Sequence, residues 1–490
     1  MVYVAHMDIT VVGGGVSGLA AAVALSRSGH SVTVIERDHT PMPQSPDEAF
    51  EWDRRGAPQV RHSHAFLARL RNLLRDQYPD VYAALLDEGA TEMRFGEDLP
   101  PEMTGFEPKP GDEDLAMIAC RRTTFEWVLR RAALSEGRVT FRTGVAATGV
   151  LAMAGIDAEP LQVSGIQLAD GAEIFSDLVI AAAGRRSAMP EWLERAGAAT
   201  ITDTVDDTGI VYFSRFYRLL PNRSFPTRSG PIGGDLGYVK YGVFAGDNRT
   251  FSVTLASSTE DEDLRKRFLD PLAFDTAARQ LVATAPYLDG RAEALTSDVH
   301  VMAGLVNRWR DYVVDGEPVA VGVVPVGDAV LCTNPLYGRG CSTAFWGAHL
   351  LTQAINDHDG DPRELAIAYD KALREQIFPW YQASVDQDKD ARRVSAALLA
   401  DEDPDSDITD PRTFMRGVFR DGLLPALRSD AVVFRSFFRS LNLLSSPDAM
   451  MRDADVAARV FAVWQDRDNR PPTPLMGPAS RSEFLALLSA

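Results

Sequence analysis

The apolar positions of this chain change their period several times, and each change predicts an element. Residues 9–12 form an unbroken apolar run that ends in Gly13, Gly14, Gly15, Val16, Ser17 and Gly18. Small and apolar residues then continue at helical spacing over 16–28, and a second apolar run, 31–35, closes on Glu36. Run, glycine turn, helix and run read as a βαβ unit. Residues 117–120 before a helix at 123–135, then 178–182 and 319–326, read as further pieces of the same domain. Between them, 209–220, 237–245 and 250–257 are rich in Tyr, Phe, Val and Thr and predict an inserted sheet, with a helix near 271–284. Aromatic residues fall on both parities of 212–218, so neither face of that strand is purely polar. Beyond Pro362 the spacing turns helical over 362–397, 411–424, 426–444 and 447–465, with Asp and Pro at the breaks. No internal repeat runs through this last region.

Composition narrows the class. A chain of 490 residues is too long for one core and predicts two interleaved domains with an extra lobe. Hydrophobic content is 45%, yet no apolar stretch approaches the roughly 18 residues that span a bilayer. The first strand starts near Ile9, leaving no room before it for a signal peptide, so a cytoplasmic location is expected. Cys120, Cys332 and Cys341 are too few and too scattered for a disulfide framework or a zinc site. A net charge of −19 argues against nucleic acid, which requires clustered cations. The acid gathers in 259–263 and 401–410, which read as solvated loops. One His-x-His, at His62 and His64, is not a metal-ligand set. It reads either as a hydrogen-bonding group or as ordinary helix-start residues.

The glycine turn carries the chemistry. Gly13 permits the tight turn, Gly15 lets the backbone approach a pyrophosphate, and Gly18 lets the helix pack on the sheet. The pyrophosphate then rests on the positive end of the helix that opens at Val16 and Ser17. Glu36, 18 residues past Gly18, is placed to accept hydrogen bonds from both ribose hydroxyls, where a 2′-phosphate would be repelled. This motif serves NAD or FAD equally. The choice falls on residues 325–348, where an apolar run delivers Gly327 and Asp328, followed by Asn334, Pro335, Leu336, Tyr337, Gly338, Arg339, Gly340 and a helix from Cys341. Asp328 suits a polyol chain, and a loop that opens a helix aims N–H groups at a ring carbonyl carrying developing charge. An NAD dehydrogenase has no need of either. At that helix start Cys341 is either a thiol of lowered pKa or a small packing residue.

Through these motifs the chain resembles flavoprotein monooxygenases of the aromatic hydroxylase and squalene epoxidase type, over about residues 7–360. The resemblance implies an α/β chain: a Rossmann-like FAD-binding domain of the glutathione-reductase type, discontinuous over 7–60, 110–200 and 310–360. A β-sheet substrate domain would take 61–109 and 201–309, and a C-terminal helical lobe 361–490, which could cap the substrate, form a homodimer surface or dock on another protein. It assigns Gly13, Gly15, Val16, Ser17, Gly18, Glu36 and Arg37 to the ADP half of FAD, Val145 after Gly144 to the adenine side, and Gly327 and Asp328 to the ribityl chain. Arg122 would reach toward the cofactor, with Gly184 also near it. Pro335 to Gly340, with Cys341, would lie beside the isoalloxazine. The segment 55–64 looks like one in the single-component epoxidases of polyether biosynthesis, which adds Arg55 and Gln59 as cofactor contacts and His62 at the flavin face. Phe213, Tyr217, Tyr238 and Leu336 are the expected substrate-lining residues.

The implied activity is insertion of one atom of O2 into an apolar small molecule, by epoxidation or hydroxylation through a flavin C4a-hydroperoxide. This requires no side-chain nucleophile. One departure bears on the electron source. Aromatic hydroxylases carry an Asp-Gly pair after a strand, and here Ala183 stands before Gly184. No second G-x-G-x-x-G exists in a βαβ setting, so electrons would come from transiently bound NAD(P)H or from a separate flavin reductase. A reductase or dehydrogenase of an isoprenoid-like substrate is the first rival on this fold. A halogenase is the next, but it needs a relay lysine and a Trp-x-Trp-x-Ile-Pro segment. The first lysine here is Lys109, and no two tryptophans stand two apart. A flavin-fold protein that binds without turnover is the remaining alternative.

Overall fold

The structure is a computed structural model, describing residues 6–153, 160–227, 231–358, 360–470 and 475–488. It opens with the predicted unit, β1 (Asp8–Val12), α1 (Val16–Arg27) and β2 (Ser31–Glu36). Next come α2 (Ala68–Gln77), α3 (Pro79–Asp87), the ribbon strands β3 (Thr91–Arg94) and β4 (Ala116–Ala119), and α4 (Arg122–Ser135). The strands β5 (Val139–Thr143), β6 (Ala147–Met153), β7 (Leu161–Leu168) and β8 (Leu178–Ala181) follow. The inserted sheet holds β9 (Ile210–Leu219), β10 (Lys240–Ala245) and β11 (Thr250–Ser258), covered by α5 (Glu262–Phe268) and α6 (Pro271–Arg279). The chain returns through β12 (Val323–Pro325) into α7 (Gly340–Asp357).

The central sheet is parallel, in the order β12-β8-β1-β2-β5. The chain leaves β1 toward β2 and later returns to its other side with β8. This reversal puts a crevice outside the carboxyl end of β1, where such sheets bind ligands. α1 fits under it because its face is almost wholly Gly, Ala, Val and Leu, and it packs against α4 and α7.

Two expected members of this domain differ. Residues 319–326 are not one strand: Ala320–Val321 pairs with β7 and Val323–Pro325 with β8. The hand-over falls at Gly322, whose φ of +75° places a would-be Cβ 2.2 Å from the Val163 carbonyl oxygen. Only glycine fits there. The strand before Arg122, β4, pairs antiparallel with β3 and lies outside the central sheet. Residues 66–90 of segment 61–109, expected in the substrate domain, pack instead into the core of the dinucleotide domain. Leu67, Leu70 and Leu74 fall at i, i+3 and i+7 of one helical stripe, and Val81 and Leu85 join them there.

In the inserted sheet the odd residues of β9, Val211, Phe213, Tyr217 and Leu219, meet Phe251, Val253 and Leu255 of β11 and the helices α5 and α6. The even residues face the other way. Phe213 and Tyr217 are therefore core residues, not substrate-lining ones, and Tyr238 joins them, its hydroxyl donating to the Pro478 carbonyl. A strand with aromatics on both parities does not reveal which face the helices cover, and a shift of one residue exchanges the faces.

The C-terminal region is not one lobe. The pattern at 362–397 resolves into α8 (Pro362–Gln376) and α9 (Phe378–Leu399), interrupted at Ile377 ahead of Pro379. Their Leu365, Tyr369, Leu373, Trp380 and Tyr381 pack on the dinucleotide domain. Then α10 (Pro411–Val418), a π-helical turn at Phe419–Leu423, α11 (Ala431–Leu441) and α12 (Ala454–Gln465) enclose a small core of their own. Asp430 and Asp453 begin the last two helices by accepting from backbone N–H groups two and three residues on. Finally α13 (Arg481–Leu487) drives Phe484 into the core of the inserted sheet. Among the described residues no helix is long and apolar enough to cross a membrane.

Phe484 is fully buried between Tyr238 and Phe268. Phe484→Ala is expected to cost about 3–5 kcal/mol, read as a lower urea midpoint. An unchanged midpoint would mean that α13 is not part of that core.

Candidate functional site

The glycines divide by what surrounds them. Gly13 has φ +114°, and a Cβ there would lie 2.5 Å from the Ala182 carbonyl oxygen. At Gly18 a Cβ would fall 1.9 Å from the Gly13 carbonyl oxygen. Both are fixed by protein atoms. Gly15, the residue before α1, has no atom within 4 Å of its would-be Cβ and an ordinary φ of −84°. Its lack of a side chain leaves that side open, where the start of α1 takes no capping side chain. Nearby, Arg130 is buried, with Nε and Nη1 lacking hydrogen-bond partners, and Nη1 lies 3.3 Å from a would-be Gly14 Cβ. It lies over the rings of Trp52 and Phe141, and the charges of Arg54, Glu36 and Glu126 reach it. A buried guanidinium without a hydrogen-bonded anion and a glycine cradle suit a dinucleotide's diphosphate.

Glu36 ends β2 with its carboxylate buried, accepting from Gly14 N at 3.2 Å and Asp38 N at 3.0 Å. Arg54 Nη2 pairs with it at 3.3 Å and also reaches the Gly14 carbonyl. Arg54 further meets Glu126 at 2.7 Å, and Glu126 meets Arg122 at 3.0 Å, one turn back on α4. Burial opposes the Arg54 charge, but Glu126 and Glu36 outweigh it and hold its pKa above the usual value. Burial likewise opposes the Glu126 carboxylate, which Arg54 and Arg122 keep ionised. The neighbour expected in this place, Arg55, points into solvent and pairs with Asp53. Adjacent residues on a turn diverge, so only Arg54 is inside. Arg37 is exposed, and Gln59 is half-buried in the 3-10 turn Pro58–Arg61. Val145 is half-buried just past Thr143, the β5 partner of Glu36, so it stands near the end of β2.

Arg122 links this half to the next. Its Nη1 donates to Cys341 Sγ at 2.9 Å, and its charge reaches Asp328. Gly327 (φ +63°) places a would-be Cβ 2.1 Å from Ser17 Oγ, which brings the start of α1 against Gly327 and Asp328. The turn opened by Gly184 (φ +72°) touches the same segment, and Ala183 is exposed there. Burial pushes the Asp328 carboxyl up, against the pull of Arg122 and Arg185. It also pushes the Cys341 thiol up, so the lowered thiol pKa considered for this helix start does not arise.

Residues 335–337 form a 3-10 turn, Gly338 takes the left-handed conformation at φ +65°, and α7 starts at Gly340. A Cβ on Gly338 would stand 2.8 Å from the Ala65 Cβ, whereas one on Gly340 meets nothing, so only Gly338 requires glycine. Arg339, expected as a charge beside the flavin, turns into α9. It donates to Ser384 Oγ at 2.7 Å and lies between the rings of Tyr337 and Trp380, with burial lowering its pKa to about 10. Leu336 joins Ile210, Tyr212, Ala256, Met302 and Leu305 in an apolar patch between this loop and the inserted sheet.

The even face of β9 completes the site. Tyr212 OH donates to Asn334 Oδ1 at 2.5 Å. His62 Nδ1 lies 3.2 Å from Ser214 Oγ, which is 2.9 Å from Thr254 Oγ1; Ser63 and Ser252 extend the row of hydroxyls at 2.6 and 2.7 Å. Burial, with the His300 ring, pushes the His62 pKa down to about 4, and burial with the Arg122 charge takes His64 to about 3. Both rings are neutral at pH 7. The structure thus brings together most of the expected cofactor residues. It adds Arg54, Glu126, Arg130, Tyr212, Asn307, Asn334 and Asp388. The spacing of Arg122 and Glu126, four apart on one helix, was the one visible signal among these. A surface cleft of about 580 Å³ lined by Asp311, Asp370, Lys371 and Arg374 shares no residue with the site, and its charges are mutually paired.

The fold and its glycine turn are similar to those of FAD-dependent enzymes. Residues 8–45 match the family model described as FAD dependent oxidoreductase. The chain is 25% identical over 504 residues to Protein Rv3254 of Mycobacterium tuberculosis, covering 94% of this chain and 96% of that protein. Among solved structures it is similar to the flavin-dependent brominase Bmp2, with a TM-score of 0.60, 16% identity and coverage of 95% of this chain and 100% of that one. It is also similar to PqsL of Pseudomonas aeruginosa, described as a probable FAD-dependent monooxygenase, with a TM-score of 0.56 and 16% identity over 84% of this chain and 99% of that one.

Gly15→Val fills the open cradle and is expected to yield colourless protein, while Asp328→Ala weakens FAD by about 1–3 kcal/mol. Absorbance of the purified variants and FAD titration check both, and full occupancy in Gly15→Val would remove the diphosphate from this loop. The histidines give a pH dependence of stability. The folded state binds fewer protons than the unfolded chain between about pH 6.5 and the lowered His62 value of about 4. Stability is therefore complete above that window and falls as pH drops through it. His62→Asn is expected to flatten this fall in urea midpoints taken from pH 7 to 4. An equally steep profile would contradict it.

Proposed function

We propose that the protein is an FAD-dependent monooxygenase that places one atom of O2, by epoxidation or hydroxylation, into a largely apolar small molecule. FAD, when bound, supplies the electron store and the activation of O2. The observation that carries the reading is the convergence of loop 334–340, the Ser17 and Gly327 contact, and Arg122 beside an apolar patch. Glu36, Gly15, Val16, Ser17, Gly18, Arg54, Arg130 and Val145 would hold the ADP half, and Gly327 and Asp328 the ribityl chain. Pro335 to Gly340 would lie along the ring, with the first N–H groups of α7 stabilising negative charge at its carbonyl edge.

The chain's own residues then do three things. Leu336, Ile210, Ala256, Leu305 and Met302 offer an apolar surface that orients the substrate and excludes water. His62, neutral and tied to Ser214, is able to accept or give a hydrogen bond to a polar atom of the substrate without bringing charge into the site. Arg122, paired with Glu126, supplies a fixed cation. Electrons would come from NAD(P)H, directly or through a separate flavin reductase. We further place the protein among FAD enzymes that epoxidise alkenes, on the strength of segment 55–64.

Oxygen uptake tests this reading, measured with a panel of isoprenoid alkenes and fused aromatics, with and without an added flavin reductase. Substrate-dependent uptake and a product labelled from heavy-isotope O2 are expected. Reduction without oxygen incorporation, or a brominated product when bromide is supplied, would overturn it. Gly338→Val forces a β-branched residue into left-handed backbone at about 1–2 kcal/mol and into contact with Ala65. It is expected to keep FAD, lose about five- to thirtyfold in turnover and release more hydrogen peroxide. A fully coupled variant would place the loop away from the ring.

A further inference from the structure

Helix α9 lies in the region for which the sequence offered no family resemblance, yet it grips the loop at the centre of the site. Trp380, Ser384 and Asp388 stand at i, i+4 and i+8, one stripe of the helix. Trp380 and Ser384 hold Arg339: the Trp380 ring lies 4.8 Å from its guanidinium, and the Trp380 carbonyl and Ser384 Oγ accept from Nη1 at 3.3 and 2.7 Å. Asp388 is 2% exposed. Its Oδ1 accepts from Asn334 Nδ2 and Tyr337 OH, each at 2.8 Å, and its Oδ2 from Asn307 Nδ2 at 2.7 Å. Asn307, on the strand Val306–Asp311, accepts from Asn334 N at 2.8 Å. Asn334 Oδ1 accepts from Leu336 N and Tyr212 OH. The first residue of the loop is therefore held by N, Oδ1 and Nδ2 at once, and the network closes on one buried carboxylate whose three donors are all neutral.

Neutral donors make this carboxylate a directional holder rather than a charge partner. An ammonium would satisfy it from many angles, whereas two amides and a phenol fix the positions of the groups that carry them. Two of those groups belong to the loop, one residue before Pro335 and one before Gly338. We propose that Asp388 is a positioning residue: by holding Asn334 and Tyr337 it sets the backbone of 334–340, and with it the start of α7, where that backbone serves the flavin ring. The second half of this statement rests on the flavin reading of the loop given above.

Amide hydrogen exchange on the protein without added FAD reads the first half. Asp388→Asn turns an accepting edge into an NH2 that faces the Asn307 amide. Exchange over 336–340 is expected to quicken about tenfold, while β9 and β11 keep wild-type protection and report that the fold is intact. The double variant Asp388→Asn with Asn307→Asp moves the carboxylate across the same contact and leaves every donor facing an acceptor. It is expected to return exchange to within about threefold of wild type. Should the single variant fold poorly, Tyr337→Phe removes one donor of the three and is expected to quicken the loop by a smaller factor. Wild-type exchange in the single variants, or a double variant as fast as Asp388→Asn, would overturn the proposal.

The FAD-loaded protein reads the second half. Asp388→Asn is expected to bind FAD at wild-type stoichiometry, displace the visible flavin band and release more peroxide when the reduced protein meets oxygen, with the double variant reverting all three. A quickened loop with an unchanged spectrum and peroxide yield would overturn the link to the ring. A wild-type protein that binds no FAD would overturn that link and the flavin reading together, and the exchange result would still decide the anchoring.

Discussion

The arrangement depends on one buried carboxylate. Glu126, 1% exposed, takes Arg54 on one side and Arg122 on the other. Arg54 carries the glycine turn and Glu36, and Arg122 carries Cys341 at the start of α7. The two ends of a dinucleotide flavin would be served by parts of the chain some three hundred residues apart, and this row of alternating charge sets the distance between them. Such a row is costly to assemble and costlier to break. Desolvation consumes much of the Coulomb gain, but removing one partner leaves a buried charge uncompensated, at about 3–5 kcal/mol. Its value is thus geometric, a fixed spacing with no member free to move alone.

The inserted sheet shows the same economy in apolar terms. β9 has both faces buried, one against α5 and α6 and one against the 62–66 segment and the loop. The face toward the helices is filled by large rings, while the face toward the site carries Ser214, Thr254 and Ser252 with Tyr212 and Phe216. Buried hydroxyls need partners, and here they satisfy one another and His62, so that face stays polar without carrying charge.

How much of this was legible depends on whether a residue's neighbours are near it in sequence. The βαβ unit was readable because Gly13, Gly18 and Glu36 meet requirements set within one supersecondary unit. Gly327 and Gly338 were readable because their turns demand glycine locally. Arg54 was missed in favour of Arg55 because turn geometry, and nothing in composition, decides which of two adjacent arginines points inward. Phe213 and Tyr217 were assigned to the wrong face because period-2 patterns give parity and not direction. Asp388 had no signal, since the three donors that define it, Asn307, Asn334 and Tyr337, lie 51 to 81 positions away.

The direction taken by Arg339 follows from helix electrostatics. As the residue before α7 it stands where the helix dipole is positive, and a cation facing that pole is unfavourable. Its guanidinium is instead drawn away by two aromatic faces, Ser384 and the field of Asp388. The first turn of α7 consequently takes no capping side chain, and its N–H groups keep their full polarity for whatever lies on the far side of the loop. Placing the loop's one arginine behind the helix start, with Asp388 of α9 to balance it, leaves backbone dipoles and Arg122 to supply the positive potential beside this loop. Those donors are fixed by the fold and need no rearrangement as negative charge develops in front of them.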